Sequence, residues 1–482
     1  MSPGRVVYTF GIFELDSHAR RLRRNGERVA LSDRYVGVLL HLAAHAGEVV
    51  SKDDLVTAGW GDTAVGDNSL EQAISALRRA LGTNAQGDQY VETVPRQGYR
   101  LAAEVARVVS HATNADIDAL LAPHRALLDG RRALESLERE QILRAREVFK
   151  QAVATTPDTA SAHVGLAYAC VLQFEMTRAD EVPDTEALRL AATHAYEACR
   201  LDTENAEAWS TLGFILERIG KRTDAVAAGR RAIALEPDNW RHHFRLASTA
   251  WGEERLRAAR RTLALVPGFA LAHWLAATVM VARGMLDEAT RELAAGVAAQ
   301  GRGGADSAFS GVALHWLLGL IHLSRQDGAL ALAEFDRELA NEATGHLYSR
   351  ECCANTWYAI GAWHLRHARM DDAVAAFDRT LQRVPKHALA QLGRAVATGT
   401  TPPPAGANLR PASGSMDQAV YLAAGHVITG SHAAAARVVD EALSAAPTSN
   451  AAWLLPVEPL LNVGAAPDAW APALARLRAR AL

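Results

Sequence analysis

The sequence predicts an α+β unit at the N-terminus followed by an all-α repeat superhelix. Three observations carry this reading. Strand-like and helix-like segments alternate up to about residue 105. Ala-rich helical periodicity then runs almost to the end of the chain. At 482 residues the chain is also too long for one ordinary core. Hydrophobic residues at 49% and charged residues at 22% are ordinary for a globular chain, and the net charge of −3 excludes a polycation. Any contact with nucleic acid must therefore come from a local patch.

The N-terminal elements follow in order. Val6–Leu15 is rich in aromatic and β-branched residues, which favour strands. Arg20–Leu31 carries Asn25-Gly26 between alternating runs, a type I′ hairpin signal because both central residues need positive φ. Ser32 or Asp33 caps a helix to about Ala46, with Tyr35, Val36, Leu39, Leu40, Leu42 and Ala43 on one face. Ser51 caps a second helix that Gly61 stops. Asp62–Asp67 reads as a loop. Asn68 or Ser69 opens a third helix through Leu81, with Leu70, Ile74, Leu77 and Leu81 as its buried stripe. Two strands follow, Tyr90–Val94 and Tyr99–Leu101, joined by Pro95-Arg96-Gln97-Gly98. A sheet, three helices and a terminal hairpin make a winged helix-turn-helix.

In such a unit the third helix enters the major groove and the hairpin lies along the flanking backbone. The outer face of residues 68–81 offers Asn68, Ser69, Glu71, Gln72, Ser75, Arg78 and Arg79. Asn, Gln and Ser can pair with base edges, Glu can accept from cytosine, and Arg can hold phosphate or guanine. On the wing, residues 90–101, Thr93, Arg96, Gln97 and Arg100 are placed to touch the sugar-phosphate backbone. Residues 1–105 hold twelve Arg and Lys against thirteen Asp and Glu, so the unit is not basic overall. The Arg20, Arg21, Arg23 and Arg24 cluster reads as solvated surface rather than a second DNA contact.

LEQAISALRRAL at Leu70–Leu81 followed by VETVPRQGYRL at Val91–Leu101 resembles the C-terminal effector domain of OmpR/PhoB-type response regulators. It is most similar to the branch that includes CadC- and ToxR-like activators, over about Val7 to Glu104. The resemblance implies that Asn68, Glu71, Gln72, Ser75 and Arg78 read bases and that Thr93 and Arg96 contact the minor groove or backbone. It also implies that the loop 62–67 can touch RNA polymerase. Ala76 and Pro95 depart from the basic residues that many members carry there. No room is expected for a preceding receiver domain, and no transmembrane helix is expected after the module.

Beyond residue 120 a different pattern recurs. Counting Ala354 as the first position, Trp357, Ile360, Gly361, Ala373, Phe377 and Pro385 follow at the fourth, seventh, eighth, twentieth, twenty-fourth and thirty-second. Ala206–Pro237 fits through Trp209, Leu212, Gly213, Ala225 and Ala232. The spacing resembles the tetratricopeptide consensus, whose period is about 34 residues. Weaker copies centre on Phe149, Phe335 and Ala435. Small residues let paired helices approach, large ones fill the gap, and Pro ends the second helix. Roughly seven to nine helix pairs are expected, with loops at Gly301–Asp306 and Thr398–Ser415. Stacked pairs form a superhelix whose concave face typically takes a protein or peptide.

Four cysteines without a CxxC pair suggest a reduced compartment, with Cys352 and Cys353 as small buried residues. Met1–Arg5 has no apolar core of a secretory leader, and the most apolar stretches are shorter than the about 20 residues a bilayer needs. His364 and His367 on one helix, and adjacent His242 and His243, lack the partners of a zinc site. No phosphate-binding, dinucleotide or nucleophile motif is present, so neither an enzyme nor a cofactor or metal is expected. The expected organisation is an α+β winged helix-turn-helix domain (1–105), a linker (106–118) and an all-α tetratricopeptide-repeat superhelix (119–482). The expected function is cytoplasmic transcriptional regulation on double-stranded DNA, with a possible homodimer on DNA. A repeat scaffold whose winged helix has lost DNA binding is the alternative that the neutral charge leaves open.

Overall fold

A computed structural model describes residues 6–61, 67–84, 87–109, 114–302, 311–404, 414–447 and 449–482. Four strands open the chain: β1 (Val6–Phe10), β2 (Phe13–Asp16), β3 (Arg21–Arg24) and β4 (Glu27–Val29). Asn25 (φ 50°) and Gly26 (φ 84°) make the expected two-residue turn between β3 and β4. Helices α1 (Asp33–Ala44), α2 (Lys52–Trp60) and α3 (Asp67–Leu81) follow, then β5 (Val91–Val94), β6 (Gly98–Leu101) and β7 (Ala106–Val109). The first sheet is antiparallel in the order β4-β3-β2-β1-β7, and β5-β6 is the wing.

Residues 106–118 are not a linker throughout. Ala106–Val109 pairs with β1 in the register Val6↔Val109 to Thr9↔Ala106. Without β7, β1 would be an edge with unpaired backbone groups, and the chain leaving the wing satisfies them. A helix already begins at Asn114.

Capping residues set the helix starts as expected. Ser32 accepts from the Tyr35 backbone NH and Ser51 from that of Asp54. The stripe Leu70, Ile74, Leu77 and Leu81 is at most 2% exposed and packs on a ring cluster of Phe10, Phe13 and Tyr90.

The remainder is helical. Successive pairs are α4 (Asn114–Glu135) with α5 (Arg139–Thr155), α6 (Ala160–Thr177) with α7 (Thr185–Leu201), and α8 (Ala206–Arg218) with α9 (Arg222–Leu235). Then come α10 (Trp240–Thr249) with α11 (Gly252–Leu265), α12 (Ala270–Ala282) with α13 (Leu286–Arg302), and α14 (Leu314–Ser324) with α15 (Gly328–Leu339). Helices α16 (Ser349–Arg366) and α17 (Met370–Arg383) pair, α18 (Ala388–Ala397) packs against both, α19 (Gly414–Ile428) pairs with α20 (His432–Ala445), and α21 (Pro467–Arg480) ends the array. Of the two expected loops, residues 303–310 and 405–413 lie outside the described residues.

The repeat spacing has the packing cause inferred for it. The fully buried ring of Phe149 lies against Gly130 and Gly165, that of Phe335 against Gly319, and that of Phe377 against Gly361 and Gly393. A Cβ at Gly165 would stand 2.1 Å from the Phe149 ring, so only hydrogen fits. Cys170, Cys199, Cys352 and Cys353 are all buried and free.

The first helices of neighbouring pairs touch one another from α6 to α16 and so line the inner face. The chain's own residues 449–466 cross that face. Asn450 accepts from Arg222 at 2.9 Å, and Trp453 stands edge-on to Trp274 and Trp316. Tyr358 Oη donates to Glu458, and Arg366 donates to Asn462 at 2.9 Å. Part of the groove expected to hold a partner is therefore already filled. Further round, Leu347 N bonds Leu137 O at 2.7 Å and ties the start of α16 to the α4–α5 turn.

The winged helix docks on the array through α1. Arg34 pairs with Glu207 Oε2 at 3.3 Å and with Glu236. Ser161 Oγ donates to Asp33 Oδ2 at 2.9 Å, and Arg21 reaches Asp158 at 3.9 Å. His242, one of the adjacent histidines, lies 3.1 Å from Glu236 in this same cluster. Arg20 donates to Asp33 O at 2.6 Å and is a part-buried tie, while Arg23 and Arg24 are exposed, Arg24 donating to Ala80 O at 2.6 Å.

Two predictions follow from this packing. Gly165→Ala forces a methyl into the Phe149 ring and is expected to cost about 1–3 kcal/mol, read as a lower urea midpoint with unchanged slope. An unchanged midpoint would contradict the ring-on-glycine packing. The second concerns Glu458, whose carboxyl burial pushes up to about 7 from 4.5. Its stabilising contribution is full below pH 4.5 and is lost as pH rises through 7. Glu458→Gln should therefore gain on the native protein by about 2 kcal/mol between pH 5 and pH 8. Equal differences in unfolding free energy at both pH values would contradict it.

Candidate nucleic-acid interface

The interface is built from α3 and the β5–β6 hairpin. Burial of Leu70, Ile74, Leu77 and Leu81 turns the opposite side of α3 outward. Asn68, Glu71, Ser75 and Arg79 are exposed and Gln72 is partly so, which places them on one outer face. Glu71 stands 3.9 Å from Lys52 on α2. The neighbouring loop, residues 62–66, lies outside the described residues, so the proposed polymerase contact there has no structural description.

Two expected contact residues change role. Ser69 is 2% exposed and faces the core, so its hydroxyl is withdrawn from any DNA contact. Arg78 is only partly exposed. Its Nε donates to Val91 O at 2.9 Å and its Nη2 to Thr93 Oγ1 at 2.7 Å. Both bonds tie α3 to β5. Arg78 thus fixes the distance between α3 and the wing, and its guanidinium is already engaged within the domain.

The wing tip is a tight turn. Gln97 N bonds Val94 O at 3.1 Å, Pro95 takes the second position and Arg96 the third with φ 66°. Proline with a positive φ after it defines a type II turn. Arg96 and Gln97 project from it, exposed. Thr93 is exposed but already accepts from Arg78, and Arg100 pairs across the hairpin with Glu92 at 2.6 Å. Val50 and Tyr99 exchange backbone bonds of 2.8 and 3.0 Å, which seats the wing on the domain. Gly98 (φ 147°) allows this, because a Cβ there would stand 1.9 Å from Val50 O. The α3 face therefore offers amide, hydroxyl and guanidinium groups at a fixed distance from a two-residue polar tip.

Two of the histidines weighed as metal ligands are otherwise engaged. His367 Nδ1 lies 2.7 Å from Trp363 O, and His242 faces Glu236. Among the described residues no group of three His, Cys, Asp or Glu could hold a metal, and no helix is long and apolar enough to cross a membrane.

The comparisons with known proteins fall on these two regions. Residues 26–101 match the family model described as "Transcriptional regulatory protein, C terminal", and residues 131–206 match a tetratricopeptide-repeat model. The transcriptional activator CadC of Escherichia coli is 36% identical over 86 residues, 18% of this chain and 17% of that protein. The cholera toxin transcriptional activator of Vibrio cholerae is 40% identical over 84 residues, 17% of this chain and 29% of that protein. The chain thus spans well under a third of the length of either relative. Among solved structures, the Klebsiella pneumoniae RstA DNA-binding domain in complex with the RstA box is 36% identical, with a TM-score of 0.18. That match covers 20% of this chain and 96% of the other. The chain carries a winged helix of the OmpR/PhoB transcriptional-regulator type joined to a tetratricopeptide-repeat array.

Proposed function

We propose that the protein is a transcriptional regulator that binds double-stranded DNA through α3 and the wing. The observation that carries this is the outer face of α3, Asn68, Gln72, Ser75 and Arg79, held at a fixed distance from Arg96 and Gln97 by Arg78. In this reading Asn68, Glu71, Gln72 and Ser75 meet base edges in the major groove. Arg79, Arg96 and Gln97 meet phosphates. Arg78, Thr93 and Arg100 position the helix and wing rather than read sequence. With twelve basic against thirteen acidic residues in 1–105, one module has little non-specific attraction for phosphate. Two copies on adjacent half-sites supply the missing affinity in this proposal. A winged-helix unit that extends to β7 at Val109, an array that begins with α4 at Asn114, a polymerase contact through 62–67 and a cytoplasmic location belong to the same reading. It involves no catalytic step.

Genome-wide capture of DNA by the purified full chain tests the reading. A set of enriched sites is expected at low salt, and their absence would favour a scaffold whose winged helix no longer binds DNA. On an enriched site, Gln72→Ala should cost about 1–3 kcal/mol and relax preference at one base position. Arg79→Ala should weaken all sequences alike and reduce the salt slope by about 1. Arg78→Ala should weaken binding without changing base preference and should also lower thermal stability. A change in base preference with Arg78→Ala would contradict its positioning role.

A further inference from the structure

The part of the inner face that residues 449–466 leave open forms a half-open pocket. Its walls come from the α4–α5 turn, α6, α8, α10, the start of α12 and His346. Two kinds of group meet there. Trp240, Phe244, Phe269 and Leu134 make an apolar floor, and Trp240, Phe244 and Phe269 are packed ring to ring at 4.7–4.9 Å. Arg131, Arg241 and Arg245 supply three guanidinium groups.

The carboxylates in the wall do not balance these arginines. Glu135 is taken by Arg241 at 2.5 Å. Glu207 Oε2 is shared at 3.3 Å between Arg131 and Arg34, the arginine that docks the winged helix. Arg245 is left over. It is 7% exposed, lies over the Tyr168 ring at 4.4 Å and donates to Thr211 Oγ1 at 3.1 Å. It has no carboxylate within 4 Å among the described residues. A buried guanidinium without a counter-charge is costly, and an incoming anion removes that cost. Burial alone would raise the Glu207 carboxyl, yet Arg131, Arg34, Arg245 and Arg241 together hold it far below the usual carboxylate range. With Glu236 counted as the second partner of Arg34, the four arginines 34, 131, 241 and 245 face three glutamates, 135, 207 and 236, which leaves one positive charge over.

We infer that this cavity binds a small organic anion, a phosphate or carboxylate on an aromatic body, with the anion on Arg245 and Arg131 and the body against Trp240 and Phe244. Its three guanidinium groups favour an anion over an uncharged segment. Its occupant is placed to act as an effector. Arg131 and Arg34 hold the same Glu207 oxygen, so an anion that draws Arg131 changes the field at the α1 contact. This inference stands apart from DNA binding, and its readouts use no DNA.

Phenyl phosphate is the probe, with phenol and inorganic phosphate as the two halves of its chemistry. Titration calorimetry on the full chain should show phenyl phosphate binding in the millimolar range or tighter. It should bind at least about tenfold more tightly than either control, the worth of one charge-assisted hydrogen bond. Arg245→Met keeps the stem that covers Tyr168 and should lose that advantage. Arg476→Met, on the exposed side of α21, should keep it. Hydrogen exchange on the native chain gives a reading independent of whether Arg245→Met folds. Phenyl phosphate should protect residues 131–137 and 240–246 and alter exchange at 33–37. No binding, equal binding of phenol, or protection confined to other segments would overturn the site. Protection of the cavity with no change at 33–37 would overturn the effector role.

Discussion

The Arg34 guanidinium is the contact on which the arrangement of the whole molecule rests. It leaves α1 of the winged helix and is buried between Glu207 on α8 and Glu236 at the end of α9. Burial lowers it to about 10, although Glu207 opposes the shift. A charge out of water is tolerable only when its partners are fixed, so the two glutamates and the helices carrying them must hold one geometry. Removing Arg34 would take from Glu236 its arginine partner and leave that buried carboxylate facing only His242. This gives the docked winged helix a defined orientation rather than a tethered one.

The fixed geometry of the array comes from a different source. Glycine facing phenylalanine recurs at Phe149, Phe335 and Phe377, and each ring fills a gap that only hydrogen leaves open. Such contacts are apolar, short-range and local to neighbouring helices, so they propagate along the solenoid. Glu207 and Glu236 come from one such pair, at the start of α8 and the end of α9, and both lie within reach of one arginine. The inner face then serves two uses. Residues 449–466 fill one stretch through Trp453 and Glu458, while the stretch nearest α1 remains a cavity rich in arginine.

Within the winged helix, residues of the same type meet different surroundings. Arg79 is exposed on the outer face of α3. Arg78, its neighbour, is spent on Val91 and Thr93. A helix advances about 100° per residue, so adjacent arginines meet different surroundings. Their chemistry is equal, and only the neighbouring strand separates their roles.

What the sequence determined by itself is the local and the periodic. Ser32, Ser51, Asn25-Gly26 and the stripe from Leu70 to Leu81 act through their own backbone or over one helical turn, and their elements form where the spacing puts them. The glycine and phenylalanine repeat is likewise legible, because a fixed period carries its packing partner with it. The tertiary structure decided what depends on residues distant along the chain. It withdrew Ser69 into the core, gave Arg78 to the wing, paired 106–109 with β1, and laid 449–466 across the inner face. It also joined Arg34 to Glu207 and Glu236, a contact over more than 170 residues. No local pattern marks such a pair, because what selects it is the desolvation of charges brought together by the fold.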